Sequence, residues 1–286
     1  MSWWDYLIEP WQHEFMLRAI LVTTVAAVVA AVLSCWLVLI GWSLMGDAVS
    51  HAVLPGVVLA YLLDLPFAIG ALIFGFAAVA LIGAVSRGSK VKEDAAIGVV
   101  FTTLFALGLV LISVIPSQTD LNHILFGNVL GVLDVDLLQV VVLGALTLGV
   151  TLYKRRDLTL YAFDRAHAHV IGLNVRWLDT LLLGLLAVTV VVGLQAVGVV
   201  LVVAMLIIPG ATAFLLTERF SRMLVIAPVV GGLCSLAGLY ISFYADTSPG
   251  GTVVLAQGTL FTLVYLFVPE KGVLAKLMAR SRSVAA

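Results

Sequence analysis

The sequence predicts an all-α polytopic membrane protein with eight or nine transmembrane helices, and three observations carry that prediction. Of the 286 residues, 63% are hydrophobic and only 11% are charged, against roughly 45–50% and about 25% in an ordinary soluble domain. Mean hydropathy is +1.19, and so few charges cannot cover the surface of a soluble domain of this length. The charges are also segregated. No Asp, Glu, Lys or Arg occurs in 19–46, 65–86, 95–119, 137–153, 180–217, 223–245 or 247–269. The net charge of −1 gives no electrostatic case for a nucleic-acid partner. Cys35 and Cys234, the two cysteines, lie in apolar runs and make neither a disulfide framework nor a metal-ligand spacing.

A hydrocarbon core takes roughly 20 apolar residues per helix, with a range of about 17–25. All the gaps except 180–217 suit one span each, with 19–46 leaving room for a flanking turn. The 180–217 gap suits two spans, with Gly193, Gln195 and Gly198 as the expected apex. The apolar stretch 48–63 is short and is interrupted by Pro55 and Gly56. Counted as a crossing it gives nine spans, and as a re-entrant segment it gives eight. Basic residues mark the expected cytoplasmic side. Arg87, Lys90 and Lys92 share one connection, and Lys154, Arg155, Arg156, Arg165 and Arg176 the next basic one. Arg219 and Arg222 mark a third, and Lys271, Lys276, Arg280 and Arg282 the C-terminal tail. The alternate connections carry acids: Asp64, then Asp120, Asp134 and Asp136, then Asp246. The N-terminal tail, with Asp5, Glu9 and Glu14 and the interface anchors Trp3, Trp4 and Trp11, fits the outside, which favours nine crossings.

The whole chain, 1–286, reads as a single transmembrane domain. Its longest cytoplasmic connection, 154–177, is far shorter than the ~100 residues of a nucleotide-binding unit, so any ATP must be hydrolysed by another chain. Gly83, Gly88, Ser89 and Lys90 come near a phosphate-binding pattern, but Lys follows Ser and the glycines close a membrane span instead of following a strand. Within 154–177, polar residues alternate with Ala162, Phe163, Ala166, Val170, Ile171 and Leu173. That pattern suits either a short amphipathic helix on the inner face or a membrane-skimming loop. His167 and His169 are two apart and would face different sides of a helix, as solvated residues and not a metal pair.

The segment Met45–Gly56 concentrates the polar chemistry. Asp47 and His51 are four apart, so a helix puts both on one face. Ionisable groups at membrane depth are costly and line a substrate path or pair with each other. A carboxylate with an imidazole suits first-row transition metals such as manganese, iron or zinc. Pro55 lacks the N–H that would bond the His51 carbonyl, so a helix break with a free carbonyl is expected there. The alternative is an intrahelical Asp47–His51 pair that caps the helix at the inner surface. Asp120, Asn122 and His123 form a second polar group in an outer loop, read as either a cation entrance or ordinary solvated capping residues. Gly127 and Gly131 have a weak close-packing spacing.

Several long stretches, in order, carry a resemblance to a known family. They are Ser43-Leu-Met-Gly-Asp-Ala-Val-Ser-His-Ala-Val-Leu-Pro-Gly56, Asp120-Leu-Asn-His-Ile-Leu-Phe-Gly-Asn128, and Gln195-Ala-Val-Gly198 leading to Met205-Leu-Ile-Ile-Pro-Gly-Ala-Thr-Ala213. Over essentially its whole length the chain resembles the permease subunits of bacterial ABC importers for manganese, iron and zinc. The first motif is more similar to the manganese/iron branch. The resemblance implies the metal-importer permease fold and a transport subunit with no catalytic site and no cofactor of its own. Its substrate would be Mn2+ or Fe2+, with Zn2+ as a further candidate. It implies as partners a second permease, identical or different, two cytoplasmic ATP-binding subunits and an extracytoplasmic metal-binding protein. It places the chain in the bacterial inner membrane with its C-terminus cytoplasmic. Asp47 and His51 match the metal-coordinating positions, and the loop around Gly172 (Asp164, Arg165, Ile171, Gly172, Leu173) matches the ATPase-coupling segment. Family members often carry a basic residue where this chain has Ile40, which removes one anchor for placing Asp47 near the inner face. The alternatives are a self-sufficient secondary transporter or channel, for which the sequence shows no internal repeat, and a non-transporting scaffold, which would leave Asp47 and His51 without a purpose.

Overall fold

The computed structural model describes residues 3–114, 129–132, 134–268 and 272, and among these all regular structure is helical. An N-terminal helix α1 (Trp3–Gln12) leads into the long α2 (Glu14–Ile40). Then come α3 (Met45–Ala52) and α4 (Leu54–Leu62), α5 (Phe67–Gly88) and α6 (Glu93–Val114). After a 3-10 turn at Val129–Gly131 follow α7 (Asp134–Tyr153) and two short helices, α8 (Arg155–Phe163) and α9 (Arg165–Val170). The last four are α10 (Val175–Val197), α11 (Val199–Leu216), α12 (Phe220–Ala245) and α13 (Pro249–Phe267). Among the described residues there are nine candidate spans, with α3 and α4 together making one of them, Met45–Leu62. Of the two counts the sequence allowed, nine is the one observed.

Apart from Met45–Leu62, which carries Asp47 and His51, the spans are apolar on every side between their charged ends, as expected where one face meets protein and the other lipid. Small residues decide which faces meet. α2 is the central helix, packed against α7, α11 and α12, and its inner stripe includes Ala26, Ala27, Ala30, Ala31 and Ser34, all buried. At Ser34 the backbones of α2 and α11 nearly touch: a Cβ on Gly210 would stand 2.7 Å from the Ser34 carbonyl oxygen. The Ser34 hydroxyl accepts the Gly210 N–H at 3.1 Å and donates to the Ile207 carbonyl at 3.4 Å. Pro209 beside it removes a helical donor, so this hydroxyl lends hydrogen bonds where the α11 ladder is interrupted. α11 remains one continuous helix.

The same device fixes the broken span. A Cβ on Gly56 of α4 would lie 2.1 Å from the Gly70 carbonyl oxygen of α5, and one on Gly70 would lie 2.0 Å from that of Gly56. On the other side, Gly108 of α6 receives Leu54. The reversal inside the long 180–217 gap falls on one residue. Gly198 has φ +84 and ψ 164, a conformation closed to residues with a Cβ. Gly193 and Gln195, expected to share that apex, instead stay within α10.

The acidic ends of α1, α2, α7 and α12 gather on one side of the bundle. Trp11 donates its indole N–H to the Tyr240 hydroxyl, and Arg18 bridges Glu14 at 2.5 Å and Asp134 at 3.2 Å. At the opposite end lie 154–174 and the connection after α5. There α5 ends at Gly88 and Ser89 is extended, with no strand before it, which disposes of the phosphate-loop reading of Gly83–Lys90.

Because α4 and α5 meet backbone to backbone, Gly56→Ala and Gly70→Ala should each cost about 1–3 kcal/mol by overpacking. The readout is the thermal midpoint of the purified protein in detergent. Unchanged midpoints in both variants would mean that the two helices part freely.

Candidate functional site

α3 exists as a separate helix because the chain breaks on both sides of it. Gly41 takes the left-handed cap of α2, and Met45 N–H bonds the Trp42 carbonyl at 3.0 Å to start the new helix. Two residues before Pro55, Val53 ends it. The expected interruption is therefore present and local: Val53 keeps right-handed helical dihedrals and its N–H bonds the Val49 carbonyl at 3.2 Å.

On this short helix the (i, i+4) spacing does what the sequence predicts. His51 Nε2 lies 3.4 Å from Asp47 Oδ1, with 27% of the His51 side chain and 38% of the Asp47 side chain exposed. The pair thus opens to one side of the single chain and is not sealed within it. Ser50 donates its hydroxyl to the Asp47 carbonyl at 2.8 Å. The imidazole is held by aromatic rings of α6, with the Phe105 centroid at 5.1 Å in an edge contact and Phe101 at 5.7 Å. Leu54, Leu194 and Val199 complete the apolar wall. His51 Nδ1 is buried and has no hydrogen-bond partner. Both phenylalanines stand ~12–18 Å along α6 from its first residue, at 1.5 Å per residue. The pair is therefore at mid-depth in the bundle, not a cap at its surface. Among the described residues no three His, Cys, Asp or Glu side chains come together, so this chain offers two side-chain donors at the site.

The 154–177 connection resolves the choice between helix and loop as two short helices. Asp164 separates them and accepts the His167 N–H at 2.9 Å, capping α9. Gly172 reverses the chain with φ +89, a value suited to glycine. The five residues expected to dock do not share one face. Ile171 is exposed, whereas Leu173 packs against the core. The Arg165 guanidinium carbon lies between two rings, 5.3 Å from the Trp42 centroid and 5.1 Å from that of Tyr161. Val170, part of the apolar pattern in the sequence but not one of the five coupling positions, is 81% exposed and makes the larger apolar contribution at the tip. His169, but not His167, lines a surface depression with Arg165, Gly172, Leu173, Asn174 and Arg176. Asp120, Asn122, His123 and Gly127 lie outside the described residues.

Sequence comparison matches residues 12–268 to the ABC 3 transport family. The chain belongs to that family. It is 50% identical to the manganese transport system membrane protein MntB of Synechocystis sp., over 96% of this chain and 89% of that one. It is 48% identical to the chelated iron transport system membrane protein YfeD of Yersinia pestis, over 95% of this chain and 91% of that one. Its fold superimposes on PsaBC from Streptococcus pneumoniae, solved in complex with Fab, with a TM-score of 0.85 and 36% identity over 97% of this chain and 100% of that one. This chain is accordingly a multi-pass membrane permease of the metal ABC transporter family.

The aromatic wall was also missed in the sequence, although Phe101 and Phe105 carry a helical i, i+4 spacing. Phe105→Ala should free the imidazole edge and raise the reactivity of His51 toward diethyl pyrocarbonate, followed by mass spectrometry of its peptide. Unaltered reactivity would show that the ring is held by α3 alone.

Proposed function

We propose that this permease is the membrane-spanning subunit of an ATP-driven importer of divalent transition metals, with manganese and iron as the leading cargo and zinc as a further candidate. The observation that carries this reading is the carboxylate–imidazole pair, 3.4 Å apart at mid-depth on a span whose helix is interrupted at Val53. Spanning helices are broken at cation sites because a pathway needs polar groups where continuous helix offers none. Asp47 neutralises charge on the dehydrated cation, and His51 supplies a nitrogen donor that hard-cation sites lack. Relatives named for manganese and for iron fit a mixed oxygen–nitrogen donor set, which does not by itself separate neighbouring first-row metals.

Two donors are too few for a complete coordination shell. A second permease, identical or different, would bring its own pair to the open side of this one. Two ATP-binding subunits would dock on 154–177, where Val170 and Ile171 project and Gly172 turns the chain. An extracytoplasmic metal-binding protein would deliver cargo at the acidic end, and the Asp120, Asn122 and His123 group would receive it. The basic connections and the C-terminus would then face the cytoplasm of a bacterial cell, with the chain in its inner membrane. The transport cycle is alternating access: ATP binding and release in the partner subunits rocks the two permeases and exposes the pair to one side at a time.

Asp47→Asn in the reconstituted complex should lower Mn2+ uptake by at least about 10-fold, since even residues supporting a metal's ligands are worth about 10–100-fold, while ATP is still hydrolysed. Wild-type uptake at equal abundance would remove Asp47 from the path. A second arm inactivates the partner ATPase. Uptake that persists in that arm would identify a self-sufficient transporter or channel instead.

A further inference from the structure

We propose that Trp42 and Arg165 form the tie through which the 154–177 segment moves the N-terminal end of α3, and with it Asp47. This rests on the reading above of 154–177 as the docking segment and of Asp47 and His51 as the transport site.

Trp42 stands three residues before α3 and is 4% exposed. Its carbonyl accepts the first N–H of that helix, from Met45, so a displaced Trp42 carries the start of α3 with it. The indole ring lies under the Arg165 guanidinium, and the same guanidinium also sits over the Tyr161 ring. Both separations are inside the ~6 Å within which a cation is drawn to a ring face. Tyr161 is 0% exposed and donates its hydroxyl to Asp179 of α10 at 2.7 Å, which fixes the far side of the clamp to the bundle. Arg165 is the first residue of α9, immediately after the Asp164 cap. It is therefore the point where movement of the exposed tip at Val170 and Ile171 is transferred inward.

A second aromatic path leaves the same segment and serves as the control. Phe163 meets Phe220 of α12 at 6.3 Å, and Phe220 meets Trp36 of α2 at 5.1 Å. That path leads to the α2–α12 frame and not to α3. Two residues apart, Phe163 and Arg165 thus connect the segment to two different parts of the protein. A cavity of about 200 Å³ lies against the clamp, lined by Trp42, Met45, Ser86, Arg165 and Asp179 among others. It gives the indole and the start of α3 room to shift, where a close-packed interior would not.

The test is Mn2+ uptake and ATP hydrolysis measured together in the reconstituted complete transporter. Trp42→Leu should hydrolyse ATP and bind Mn2+ as the parent does, yet import about tenfold less Mn2+ per ATP, a coupling loss of ordinary allosteric size. Trp42→Tyr, which keeps a ring face for Arg165, should restore most of that ratio. Phe220→Leu, which cuts the second path outside the docking segment, should leave the ratio unchanged. An unaltered ratio in Trp42→Leu, or an equal loss in Phe220→Leu, overturns the tie. Should Trp42→Leu fail to assemble, Arg165→Met carries the test through the same ratio, with a parental value overturning the proposal. Failure of the underlying reading looks different: uptake would then be independent of ATP in the parent protein itself.

Discussion

A bilayer interior offers a peptide group nothing to bond, so each spanning segment has to satisfy its own backbone. A cation pathway asks for the opposite, exposed polar atoms at mid-depth. The fold reconciles the two by confining irregular backbone to places where neighbouring helices close around it. Beside Pro209 the Ser34 hydroxyl bonds the Ile207 carbonyl and the Gly210 N–H across the helix contact. At Val53 the break is enclosed by α5 and α6, which approach α4 so closely that glycine is required at their contact. Elsewhere the spans are unbroken apolar rods, and their burial follows from which faces carry small residues.

The donor pair gains its character from that enclosure. Asp47 and His51 share a helix face by simple periodicity, but periodicity alone would leave the imidazole free to rotate. Phe105 and Phe101, from a helix far away in sequence, hold it edge-on. The carboxylate, more exposed than the imidazole, remains toward the open side. The arrangement is a carboxylate and an imidazole of unequal freedom, one turned to the open side of the chain and the other confined by rings.

Much of this was legible in the chain itself. Charge gaps located eight of the nine candidate spans because solvation cost is paid residue by residue and needs no knowledge of tertiary contacts. The Asp47–His51 pairing was legible for the same reason, since it is a local helical relation. Long-range relations were not. Whether 48–63 crosses or turns back depended on Gly56 meeting Gly70 across a helix pair, and the sequence shows only two glycines fourteen residues apart. The apex of 180–217 depended on which of three polar or small residues takes a positive φ. In 154–177 alternating polarity could not say that Leu173 turns inward while Ile171 turns out, because that depends on the Gly172 reversal. Arg165 read as a cytoplasmic basic residue at a coupling position, and only the fold brings the Trp42 and Tyr161 rings to it.

The break at Val53 divides one span into unequal halves. α4 is clamped by Gly70 and Gly108, whereas α3 rests with Gly46 on Leu206 of α11 and is joined to the chain by a turn at each end. In mechanical terms α3 is a short lever with its pivot at Val53. At 1.5 Å per residue His51 lies ~3 Å and Asp47 ~9 Å from that pivot. A tilt of about 10° therefore sweeps the Asp47 backbone through ~1.6 Å and that of His51 through only ~0.5 Å. On the proposed reading the imidazole is the fixed post and the carboxylate the swinging arm. A modest rotation then changes the separation of the pair without unfolding a single helical turn.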